Sequence, residues 1–135
     1  MPTQKQPEEP RAWLQYAGED LNAARALLKM KPAMVRQALF HAQQAAEKAL
    51  KGFLIGNAKP YPLVHDIDRL RARCSELDRT LDQLALECLP LTPFAGLSRY
   101  PGEPEVPDLD WALALLAAAE ALVGGVSSRL GIITL

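Results

Sequence analysis

Two runs of helix-period apolar residues stand back to back near the start of the chain, parted only by Pro32, and they restrict the fold more than any other feature. In the first, from about Pro10 to Lys31, Leu14, Ala17, Leu21, Ala24 and Leu28 recur at intervals of three and four, the spacing of one face of an α-helix. Pro10 has the fixed φ that suits a first helical turn. Glu19, Asp20, Asn22 and Arg25 fall off that stripe. Pro32 lacks a backbone donor and ends the run. The second run extends from about Ala33 to Ile55, with Gly56-Asn57 as its stop. Along it Val35, Ala38, Leu39, Ala42, Ala46, Ala49, Leu50 and Phe53 share one broad side. Two long helices joined by so short a break lie antiparallel, apolar side against apolar side.

The rest of the chain supplies shorter pieces. His65-Asp66 precedes IDRLRARCSEL, and either residue can cap a third helix there. A fourth short run covers about Asp78 to Leu89 and ends at Pro90. The segment from Pro90 to Asp108 is too rich in proline to hold regular structure for long. A last helix begins at Asp108, a good N-cap, and continues to about Val123 or beyond. It is apolar nearly all round, which places it at the centre of the bundle or in a subunit interface. With no convincing strand and no internal repeat, the expected fold is all-α, an up-down bundle of about four to five helices. Residues 1–9 read as a disordered lead, residues 10–130 as the helical domain and residues 131–135 as a tail.

Composition narrows the function. At 135 residues the chain suits one domain, and a formal net charge of −1 gives no global basic field of the kind that draws nucleic acid. Cys74 and Cys88 are too few and too far apart for a CxxC metal pair. They read as buried free thiols, although a disulfide between them stays open. MPTQKQPEEP lacks the basic start and apolar run of a signal peptide. The apolar stretch from Trp111 to Val126 is interrupted by Glu120 and falls short of the roughly 20 residues of a membrane span. A cytoplasmic protein without a membrane segment is expected. Two histidines without carboxylates at ligand spacing make no metal site, and no GxxxxGK[ST] loop is present. Neither metal nor cofactor is expected.

The polar side of the second helix is the feature that asks for a role. Gln37, His41, Gln44, Glu47, Lys48 and Lys51 share it, with Glu47 and Lys51 an i,i+4 pair in the favourable order. Phe40 projects from the same side, and with Trp111 it is a candidate dimer contact. One reading is a solvated face. The other is a partly buried row that meets the proline-rich loop, a ligand phosphate or another chain. In that loop Arg99-Tyr100-Pro101 offers a rigid guanidinium fork for a carboxylate or phosphate. Gln44, Lys48, Lys51, Arg99 and Tyr100 are therefore the candidate groove, with Glu47 the natural anchor for Arg99. His65 and Asp66 read as loop-fixing or capping residues, with acid–base work by His65 the alternative. Arg69, Arg71, Arg73 and Arg79 alternate with Asp68, Glu76, Asp78 and Asp82, the pattern of a salt-bridged surface.

Four pieces of sequence together resemble a known family. They are W-L-x-x-A-x-x-D-L-x-x-A from Trp13 to Ala24, F-x-A-Q-Q-A-A-E-K-A-L-K from Phe40 to Lys51, P-x-x-H-D-I-x-x-L from Pro62 to Leu70, and R-Y-P from Arg99 to Pro101. In combination, over about residues 10 to 130, they are similar to the HEPN domain. The resemblance implies a helical bundle, commonly a homodimer, often encoded beside a small nucleotidyltransferase-fold protein in a toxin–antitoxin or related pair. It also implies a possible nucleotide or RNA ligand. Many such proteins are metal-independent ribonucleases that carry an arginine and a histidine with four to six residues between them. This chain departs there. Arg99 is followed by Pro104, Glu105 and Val106 at the corresponding positions, and no histidine follows His65. The expected function is thus a non-catalytic binding subunit, with an atypical ribonuclease or a nucleotide-binding module as the alternatives.

Overall fold

The computed structural model describes residues 9–63, 66–96 and 106–132. Five α-helices, α1 (Pro10–Lys29), α2 (Val35–Gly56), α3 (Ile67–Leu77), α4 (Asp82–Leu86) and α5 (Leu109–Leu130), are joined by 3₁₀ turns at Arg79–Leu81 and Leu89–Phe94. No strand occurs among the described residues. The all-α bundle expected from the sequence is the fold observed.

The first stripe is buried as its spacing demands: Leu14, Ala17, Leu21, Ala24 and Leu28 all lie in the core. It packs on α2, whose Ala42, Ala45, Ala46 and Ala49 are fully covered. Side chains this small let neighbouring helix axes come close, and α2 accordingly has α1, α3, α5 and the second 3₁₀ turn around it. Of the two places that the sequence offered α5, the centre of the bundle or a subunit interface, the centre is held by α2 among the described residues. Its covered set extends past the apolar side to Arg36, Gln43, Glu47 and Lys51. The polar side of α2 meets other protein elements and is no simple solvated face.

Helix ends follow local chemistry. The Asp66 carboxylate accepts from the Asp68 N–H at 2.9 Å and caps α3, and Asp108 accepts from the Trp111 N–H at 2.8 Å and caps α5, the expected N-cap geometry. Asn57 closes α2 by donating Nδ2–H to the Phe53 carbonyl at 2.8 Å. The run expected as one helix from Asp78 to Leu89 is instead broken into pieces. The Asp78 carboxylate accepts from the Thr80 N–H at 2.9 Å and starts a separate 3₁₀ turn there. The prolines at 90 and 93 hold the next turn, Leu89–Phe94, in the same tight form. α5 runs on through Gly124 and Gly125 and stops at Gly131, whose φ of 66° terminates it. A Cβ on Gly125 would lie 2.6 Å from Leu84 Cδ1, so that glycine admits α4.

Both cysteines are free and buried. Burial pushes each thiol up to about 12, where almost none is thiolate near neutral pH. A thiol reagent at pH 8 is expected to leave both untouched in the native protein and to titrate both in denaturant. Stoichiometric native labelling would show that the core opens readily.

Candidate functional site

The polar side of α2 divides into two rows. One faces α1. There the buried Asp20 carboxylate is shared: Oδ1 lies 2.8 Å from His41 Nδ1, and Oδ2 accepts from Lys48 Nζ at 2.5 Å. His41 and Lys48 are seven residues apart on α2, two turns, so a single carboxylate between them ties α1 to α2 along that length. Asp20 therefore belongs to the packed surface, although the periodicity put it off the stripe. It stands three residues from Ala17 and four from Ala24, at the stripe's edge, and that proximity was the available signal. The edge of the His41 ring stacks at 78° on half-buried Phe40, with centroids 5.2 Å apart.

The second row is deeper. Gln43 is fully covered, and the side chains of Glu47 and Lys51 are only 4 and 9 % exposed. Lys51 Nζ donates to Glu47 Oε2 at 3.1 Å. The same ammonium sits 5.9 Å from the Trp13 ring centre and 5.5 Å from that of Tyr61, and the two rings meet edge to face at 5.4 Å. An ammonium held by a carboxylate and two aromatic faces loses its water with compensation. It pins the loop after α2 to both long helices. At the other end of the row the Arg36 guanidinium lies 5.8 Å from the Phe94 ring centre, which ties the second 3₁₀ turn to α2. Gln44 Nε2 donates to Gln43 Oε1 at 2.8 Å and joins the two rows.

The structure thus brings Gln44, Glu47, Lys48 and Lys51 together, with different roles from those the sequence suggested. Lys51 is enclosed, so it does not border an open groove. Lys48 is already engaged by Asp20. Asp66 is a helix cap. Arg99, Tyr100 and His65 lie outside the described residues, and so does the expected Arg99–Glu47 pairing. Phe40 and Trp111, the candidate dimer contacts, are half-buried and half-exposed. Asp20, Gln43, Trp13 and Tyr61 complete the site and were not singled out by sequence reasoning. Among the described residues no three His, Cys, Asp or Glu side chains gather to hold a metal ion.

The order of polar groups along α1 and α2 can be set against known proteins. The sequence profile of the HEPN domain matches residues 10–128. The chain belongs to the HEPN family. The fold agrees with it: a crystal structure of an archaeal HEPN homologue superposes with a TM-score of 0.65 at 23 % identity, covering 90 % of this chain and 98 % of that one. No curated protein sequence matches the chain. The buried rows on α2 fall within the family match, so the clamp of Asp20, His41 and Lys48 and the Glu47–Lys51 pair are features of a HEPN fold in this chain.

Proposed function

We propose that this HEPN protein is a non-catalytic binding subunit, dimeric, working in the cytoplasm with a nucleotidyltransferase-fold partner in a toxin–antitoxin or related pair. The observation that carries the reading is the sequence after Arg99, where the positions that follow four to six intervening residues hold Pro104, Glu105 and Val106 and no histidine. General acid–base help contributes about 10²–10⁴ in rate, so a site without its histidine has little turnover left. The enclosure of Lys51 and the engagement of Lys48 by Asp20 support the same reading, since both amines are occupied in holding the bundle together. Single-stranded RNA incubated with the protein and a chelator is expected to stay intact. A small nucleotidyltransferase-fold protein encoded by the adjacent gene is expected to co-purify with it.

One observation favours a second reading, an atypical metal-independent ribonuclease. Asp20 orients the His41 ring, the arrangement by which a carboxylate readies an imidazole for proton transfer. Metal-free RNA cleavage that is lost in His41→Ala and kept in His65→Ala would replace the first reading with this one.

A further inference from the structure

A groove of about 620 Å³ runs along α1 where α5 lies beside it, a volume in the range of small-molecule sites. Arg11, Gln15, Gly18, Asn22 and Arg25 line it at intervals of four and three, one face of the helix. Its apolar floor is Leu14 and Leu21 of α1 with Val123 of α5 and Ile132 just past that helix. Gly18 stands between the two leucines. Nothing lies within 4 Å of a Cβ built on it, so packing does not demand a glycine there, and an interior glycine weakens a helix. What its bare backbone provides is an open groove at mid-length. The charges along the groove are uneven. At the far end Arg25 is neutralised by Glu120 at 2.7 Å and held by the Asn22 carbonyl oxygen at 2.7 Å. Glu19 lies about 140–160° round the helix from Leu14 and Leu21, on the rim away from the floor. At the near end Arg11 has no hydrogen bond or ion pair among the described residues, and no acid stands in the first turn of α1. The Gln15 amide, one turn on and on the same side, is likewise unengaged among the described residues.

We propose that this groove binds a long-chain carboxylate, with its head on Arg11 and Gln15 and its single apolar chain laid over Leu14, past Gly18, to Leu21 and Val123. The site is separate from the partner and dimer readings above. The head must be an anion, because the uncompensated charge at the near end is positive. Guanidinium and amide together offer donors to both oxygens of one carboxylate, and a hydrogen bond to an ionised acceptor is the stronger kind. Glu19 repels such a head from the middle of the groove and so fixes its direction. The neutralised Arg25–Glu120 pair marks the end that takes no charge. From Arg11 to Leu21 is about 15 Å at 1.5 Å per residue, the reach of an extended dodecanoate. The chain passes the backbone of Gly18, where any side chain would stand in its way.

The test is isothermal titration of the protein with sodium dodecanoate below its micellar concentration. One equivalent is expected to bind, in the micromolar range. Arg11→Gln alters an exposed side chain and is expected to weaken binding by about 10–100-fold, the worth of a hydrogen bond to a charged group. Gly18→Leu fills the open middle of the groove. It is expected to weaken binding by at least about tenfold while the melting temperature stays at or above that of wild type, which separates a blocked site from a damaged fold. Dodecyltrimethylammonium, with the same chain and the opposite charge, and butanoate, with the same head and little chain, are both expected to give no measurable heat of binding. Butanoate binding as tight as that of dodecanoate would reduce the site to a simple anion contact and overturn the inference. Dodecanoate binding that neither Arg11→Gln nor Gly18→Leu changes would also overturn it and move the ligand to another face. Failure of wild type to bind dodecanoate overturns it as well, and binding gained on removal of residues 133–135 would then give the groove to the chain's own end.

Discussion

Glu47→Ala is expected to lower the free energy of unfolding by about 3–5 kcal/mol, the usual range for breaking a buried ion pair on one side. The Lys51 ammonium would stay enclosed between Trp13 and Tyr61 with its carboxylate gone. Gln43, fully covered, would lose an acceptor at 3.4 Å. An exposed i,i+4 pair contributes about 0.2–0.5 kcal/mol, so the two cases differ by several-fold and one urea melt separates them. The pair itself is a weaker source of stability than its breakage suggests, because both charges had to leave water. Lys51→Met in the Glu47→Ala background removes the stranded charge and leaves an apolar chain between two rings. That second substitution is expected to recover more than half of the loss. Superimposable melts for wild type and Glu47→Ala would return the row to a solvated surface and remove the case for it as the organising site.

Why this row read ambiguously in the sequence is a matter of what surrounds it. The stripes on α1 and the apolar side of α2 were legible because a helix repeats every 3.6 residues and apolar burial follows that repeat. Capping by Asp66 and Asp108, and the stop at Gly56-Asn57, were legible because they are local. Periodicity assumes one dry side and one wet side, however, and α2 has protein on most of its circumference. Glu47 and Lys51 are tolerated inside because each satisfies the other, which spacing alone does not reveal. Asp20 read only as a residue off the stripe for the same reason: its partners lie 21 and 28 residues away on another helix. The piecewise structure between Asp78 and Phe94 was missed because Asp78 and the two prolines impose tight turns on a stretch whose leucines suggest one helix.

The close approach of α1 and α2 rests on Gly52, and Gly52→Val is expected to destabilise the protein by about 3 kcal/mol, the upper part of the range for overpacking a filled site. A Cβ built there would stand 2.7 Å from Leu14 Cδ2 and 3.0 Å from Trp13 Cβ, with the Pro10 carbonyl at 3.6 Å. Leu14 is fully buried, so its Cδ2 yields only by repacking in the core. Trp13 Cβ belongs to the backbone end of its side chain, so relief there means moving α1 itself. Such a shift would open the ring pair around Lys51, and the cost should exceed that of the clash alone. Helix propensity works in the opposite direction, since glycine inside a helix is about 1 kcal/mol worse than alanine. Gly18 on α1 isolates that contribution, because nothing lies within 4 Å of a Cβ placed there. Gly18→Ala is therefore expected to stabilise the protein by about 0.5–1 kcal/mol, while Gly52→Ala destabilises it and Gly52→Val does so more strongly. Thermal or urea melts of the three variants decide the point. If Gly52→Ala gains stability as Gly18→Ala does, then α1 yields at Trp13 without loss, and the packing of these two helices is looser than the contact at Gly52 implies.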